Sequence, residues 1–166
     1  MPMISAQVIW TPVDLLTVHQ RVHAEMQLRP RMRETLNDPE SIVNLRNISA
    51  EPLLPGGMPL QGIPEGRFHK SYLGCASTVE PEEAPPDANI EKIRRYVLFQ
   101  APTYTVSGAA EFPQAADPKL HFEMMTKAAF FELVDATITI VGVAGKSWTE
   151  RSVWVNKTHL VGIFFG

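Results

Sequence analysis

The second half of the chain repeats the order of the first, and this constrains the fold more than any single residue. Lys70-Ser71-Tyr72-Leu73 has its counterpart in Lys157-Thr158-His159-Leu160. Upstream, Ser41-Ile42-Val43-Asn44-Leu45-Arg46-Asn47-Ile48-Ser49 keeps step with Ala129-Phe130-Phe131-Glu132-Leu133-Val134-Asp135-Ala136-Thr137. Earlier still, Val8-Ile9-Trp10-Thr11-Pro12 is set against Leu98-Phe99-Gln100-Ala101-Pro102. Three landmarks in one order, with loops of unequal length between them, are the pattern of a duplicated module. The expected division is a first unit over 1–79, a linker over 80–92 and a second unit over 93–166. Segments 7–76 and 96–165 should superpose, with Leu45 over Leu133 and Leu73 over Leu160, and with Leu133 and Leu160 in the core. Units of roughly 75–80 residues are marginal as independent cores, so the two should share an interface or the chain should self-associate.

The local pattern is β. In 18–28, Val18, Val22, Ala24, Met26 and Leu28 alternate with His19, Arg21, His23, Glu25 and Gln27, the period of a half-buried strand. Its counterpart is 103–112, where Gly108 takes the place of Ala24 and predicts a sharp bend. Asp38-Pro39 and Asp117-Pro118 are each expected to open a short helical turn, because Asp caps free amides and Pro suits the first helical position. Residues 120–127 fit a helix or a strand. Residues 128–143 are rich in β-branched and aromatic residues, 144–146 supply a turn, and 152–165 return as a β-rich run; 68–75 do the same in the first unit. The acidic, proline-rich 80–87 has no apolar face and reads as an exposed linker.

Composition narrows the function classes. A net charge of −3 disfavours a sequence-independent grip on nucleic acid, which needs clustered cations. The single cysteine, Cys75, excludes an internal disulfide framework and reads as a small buried hydrophobe. No charged leader with an apolar run opens the sequence and no run is long enough to span a bilayer. The expectation is a cytoplasmic protein without membrane attachment.

The strand order, bend and hairpin describe a small curved barrel. Val106-Ser107-Gly108-Ala109-Ala110 followed by Phe131-Glu132-Leu133-Val134-Asp135-Ala136-Thr137-Ile138 resembles the first motif of the Sm-like family. Trp154-Val155-Asn156-Lys157-Thr158-His159-Leu160-Val161-Gly162-Ile163 resembles its second. The resemblance implies an all-β (mainly β) chain of two tandem small Sm-like β-barrels packed together, with at most short helical turns. RNA-binding members line a nucleotide pocket with Asn from the first motif and Arg-Gly from the second. Here those places hold Asn47 and Asp135, then His69-Lys70 and Asn156-Lys157. A carboxylate repels phosphate, which counts against RNA in the second unit.

Arg29-Pro30-Arg31-Met32-Arg33 with Asn47-Ile48-Ser49 is similar to the signature of PilZ-type cyclic-dinucleotide receptors, since guanidinium forks suit phosphates. Pro52 stands where that motif wants Gly, and a solvated basic loop is the competing reading. The candidate ligand-binding residues are therefore Arg29, Arg31, Arg33, Asn47, His69 and Lys70. His19 and His23 lie too far apart on a strand to share a metal, and no cofactor is implied. With no phosphate loop and no nucleophile elbow, catalysis is not expected. Trp10, Trp148, Trp154, Phe164 and Phe165 read as packing residues. The favoured function is a non-enzymatic interaction or scaffold module with a protein partner or a second copy. The alternative is a nucleotide or RNA binder using the 29–33 loop and Asn47.

Overall fold

The computed structural model of the protein describes residues 8–84 and 89–166. The chain is mostly β: ten antiparallel strands form one sheet, with few short helices. The first half runs β1 (Ile9–Thr17), β2 (Gln20–Leu28), α1 (Met32–Asn37), β3 (Ile42–Pro52), β4 (Leu60–His69), a 3-10 turn (Lys70–Tyr72) and β5 (Leu73–Thr78). The second half runs β6 (Lys92–Gln100), β7 (Tyr104–Pro113), a 3-10 turn (Pro118–Leu120) leading into α2 (His121–Thr126), β8 (Phe130–Ile140), β9 (Ser147–Asn156), a 3-10 turn (Lys157–His159) and β10 (Gly162–Phe165). Residues 120–127, open to either reading in the sequence, thus lie mainly in the second short helix.

Period-two alternation sets the buried faces. Val22, Ala24, Met26 and Leu28 turn inward on β2, and Val106, Ala110 and Phe112 do so on β7. Two apolar clusters result, and they interleave. Phe130 and Trp154 of the second half pack into the first cluster, while Leu16, Leu53 and Cys75 of the first half pack into the second.

The registers fix which residues correspond. Val13 faces Ala24 as Val97 faces Gly108, and Leu45 faces Gly66 as Leu133 faces Val153. Counting on, His69 matches Asn156, Leu73 matches Leu160, Cys75 matches Gly162 and Ser77 matches Phe164. The amide of Lys70 donates to the Ser41 carbonyl and that of Lys157 to the Ala129 carbonyl, the same bond in both halves. Asn47 and Asp135 occupy one place as well. Each is the extra residue of a bulge, against β2 and β7 respectively, and each has left-handed backbone, with φ of 51° and 48°. Asn and Asp tolerate that region better than other residues with a Cβ. Gly108 lies opposite the second bulge, where an added Cβ would come within 3.0 Å of the Val134 carbonyl oxygen.

Several expectations are corrected. The earliest landmark is out of register: residues 9–12 begin β1, whereas Leu98-Phe99-Gln100 end β6, and Trp10 corresponds to Arg94. Asp38 closes α1 instead of opening a helix, although Asp117 does cap its turn by accepting from the Lys119 amide. The run 152–165 is split by the 3-10 turn, and β9 starts earlier, at Ser147. Leu133 is fully buried, but Leu160 is only partly so. Residues 80–84 of the expected linker are exposed, while 85–88 lie outside the described residues.

Candidate functional site

The order of the sheet is β10-β6-β7-β8-β9-β5-β1-β2-β3-β4. The halves are joined where β5, the last strand of the first, pairs antiparallel with β9, the fourth of the second: Cys75 opposite Val155 and Ala76 opposite Trp154. Among the described residues the matching strands, β10 and β4, are the two outer edges of the sheet.

The seam is buried, and Asn156 within it is hydrogen-bonded on both sides of its side-chain amide. Leu73, Gly74, Cys75, Ala76 and Ser77 are all buried, as are Val153 to Asn156 on β9. Asn156, 2% exposed, donates to the Leu73 carbonyl at 2.8 Å and the Lys70 carbonyl at 3.4 Å. Its own carbonyl oxygen accepts from the Thr158 amide and hydroxyl at 3.0 and 2.8 Å. His159 Nε2 lies 2.8 Å from the Ser71 carbonyl, so that nitrogen carries the proton and Nδ1 can accept from the Tyr104 hydroxyl at 3.4 Å. Tyr104 reaches this place because residue 74 is Gly: an added Cβ would sit 2.1 Å from its hydroxyl oxygen. Burial pushes the Tyr104 phenol and the Cys75 thiol up from their ordinary values, so both stay protonated.

Further links cross between the halves. Asn37, ending α1, pairs with Phe130 at the start of β8, donating to its carbonyl at 3.2 Å and accepting from its amide at 2.9 Å. Lys146 donates to the carbonyls of Pro52 and Leu53 at 3.2 and 3.4 Å. The Arg21 guanidinium stacks 3.9 Å from the Trp148 ring centre and pairs with Asp14 at 2.6 Å. Burial, followed by the Asp14 carboxylate, pushes Glu150 up to about 7, against the pull of Arg21.

At the open edges the corresponding positions are less covered. Ser77 is 4% exposed whereas Phe164 is 54% exposed. Buried Trp154 and Asn156 correspond to exposed Arg67 and His69, and buried Gly74 to exposed Val161. Leu73 is 0% exposed and Leu160 only partly covered. Phe164 is thus exposed and not the packing residue expected. Trp154 does pack between the halves, and Phe165 lies under Arg95 at 4.4 Å.

The residues expected to bind a ligand do not converge on one phosphate cradle. Arg29 and Lys70 meet, but around Asp38, at 2.8 and 2.6 Å. Burial works against the Asp38 charge, and hydrogen bonds from Arg29 and Lys70 outweigh it, holding the carboxyl below its usual range. Arg31 pairs with Glu34 at 2.5 Å, and Arg33 lies 6.0 Å from the Trp154 ring centre. The 29–33 stretch is therefore not a solvated basic loop: Met32 is fully buried and two of its arginines are ion-paired. Asn47 donates to Glu25, which also takes Arg46. His69 is exposed with its ring edge-on to Tyr72.

A cleft of about 810 Å³ beside the seam is lined by cations such as Arg94 and Arg151 and by more carboxylates, among them Glu111, Glu132 and Glu150. Its field is of mixed sign, unlike the concentrated positive charge a polyanion selects. Among the described residues no cluster of His, Cys, Asp or Glu could hold a metal, and no helix is long and apolar enough to cross a membrane. No protein-family description, curated protein or solved structure matches the chain.

Proposed function

We propose that the chain is a non-enzymatic interaction or scaffold module, built from a duplicated small β-barrel of Sm-like kind, that works through its two open sheet edges. One observation carries this reading. The β5–β9 pairing buries a set of residues whose counterparts on β10 and β4 are less covered: Arg67, His69 and Phe164 are exposed, and Gly162, Ile163 and Phe68 are half-buried. An edge strand with unpaired amides and carbonyls is a template for another strand. Proteins blunt edges they do not use with charges, bulges or Pro. Pro64 and Glu65 blunt the middle of β4 and confine pairing to its end at residues 67–69, whereas Gly162-Ile163-Phe164-Phe165 carries neither charge nor Pro. Arg29 and Lys70 converge on Asp38, and Arg46 and Asn47 on Glu25, so these side chains are held by the chain's own carboxylates, which favours this over phosphate recognition.

The test is a labelled peptide of residues 157–166, titrated against dilute protein by fluorescence anisotropy. Saturable binding that disappears in an Arg67→Pro variant of β4 is the expected result, together with an absorbance spectrum free of excess 260 nm signal. Absence of peptide binding combined with co-purified nucleotide would replace this reading with the nucleotide one.

A further inference from the structure

We infer that the partner of these edges is a second copy of the same chain, joined head to tail, with β10 of one copy pairing antiparallel to β4 of the next in the register of the inner seam. The inference rests on the edge reading above and goes further by naming the occupant and its alignment. The inner seam is a worked instance of the contact. Transferring its pairs through the correspondence between halves places Gly162 opposite Phe68 and Ile163 opposite Arg67. His69, standing where Asn156 stands, then reaches the Leu160 carbonyl, and Tyr72, standing where His159 stands, reaches the Thr158 carbonyl.

A second element agrees. At the inner seam α1 leans across onto β8 through Asn37 and Phe130, and it buries Met32 and Leu36. Its counterpart in the second half, the turn-and-helix segment ending in α2, leaves Leu120, Phe122 and Met124 40–48% exposed. In the head-to-tail arrangement that apolar face lies toward the start of β3 in the next copy. The two contacting surfaces are different, so the association is heterologous: it repeats from copy to copy instead of pairing a surface with itself.

Cysteine cross-linking reads the register. Opposed residues of an antiparallel pair have Cα atoms about 4.5–5.5 Å apart, within disulfide range. The buried Cys75, with its thiol pushed up by burial, stays out of the exchange. Two full-length variants, Arg67→Cys and Ile163→Cys, are mixed and oxidised. The expected product is a disulfide-linked pair that needs both variants and is lost, at least tenfold, when Phe164→Lys is added to the Ile163→Cys chain. Glu65→Cys mixed with Ile163→Cys should give none, being two residues out of register. Either variant linking to itself would mean a self-paired surface and overturn the head-to-tail arrangement. No cross-link, with the wild type monomeric, overturns the second copy as occupant. The peptide of residues 157–166 then separates the two levels: if it binds β4, only self-assembly falls; if it does not, the edge reading falls too.

Discussion

Leu73 and Leu160 occupy one position in the two halves but differ in cover, and replacing each by Ala measures what covers them. Leu73 is fully enclosed at the seam. Its truncation removes three carbons, about 2.4 kcal/mol of transfer free energy at roughly 0.8 kcal/mol each. The cavity left behind raises the cost to about 3–4 kcal/mol. Leu160, partly exposed beside the free β10 edge, should cost only roughly 1 kcal/mol in dilute monomer. The assay is urea denaturation of both variants at two well-separated protein concentrations, comparing midpoints at matched slopes. Leu73→Ala should carry its full penalty at both concentrations. The cost of Leu160→Ala should rise with concentration, because a neighbouring copy would enclose it as β9 encloses Leu73. Equal penalties in dilute protein would refute the difference in burial. A Leu160→Ala penalty independent of concentration would refute the covering of β10.

Three other outcomes follow from the seam. Gly74→Ala forces the buried Tyr104 ring aside and should cost about 1–3 kcal/mol, read as a lower thermal midpoint; Tyr104→Phe in the same chain should recover part of it. Asn156→Ala leaves the Leu73 carbonyl and the Thr158 amide without their partner and should cost about 2–3 kcal/mol, whereas His69→Ala on the open edge should be near neutral in dilute protein. Glu150, raised to about 7 by burial and Asp14, holds its proton more tightly folded than unfolded. Its contribution is favourable below the unfolded value and is lost as pH rises toward 7. Glu150→Gln should therefore match wild type near pH 4 and exceed it by roughly 1 kcal/mol near pH 8, after discounting for solvent screening; a difference independent of pH would contradict this.

Much of the local structure was legible because side-chain period and chain order are local properties. The alternation from Val22 to Leu28 gave the buried face of β2, and Lys70-Ser71-Tyr72-Leu73 and Lys157-Thr158-His159-Leu160 marked the two 3-10 turns that follow β4 and β9. The landmark built on Pro12 and Pro102 failed because a proline marks no fixed place along a strand: Pro12 lies within β1 and Pro102 past the end of β6. The left-handed backbone of Asn47 and Asp135 was invisible to pattern, since both fit an ordinary polar strand position until the bulge is seen. Asp38 misled for a related reason. Asp before Pro suits a helix start, but contacts with Arg29 and Lys70, distant in sequence, decided its role. The seam itself was beyond reach, because period two assigns a face to each strand and says nothing of which strand lies beside it. Gly74 within Leu73-Gly74-Cys75 was the one available signal of a close approach, from Tyr104.

Head-to-tail association of whole copies through β4 and β10 is tested most directly by the mass of the native protein in solution. Light scattering coupled to size-exclusion chromatography should give a mass above that of the 18.5 kDa chain, rising with concentration for an open chain of copies or fixed at an integer multiple for a closed ring, and reverting to a folded monomer in Phe164→Lys. A wild-type mass of 18.5 kDa at every accessible concentration, unchanged by Phe164→Lys, would contradict it.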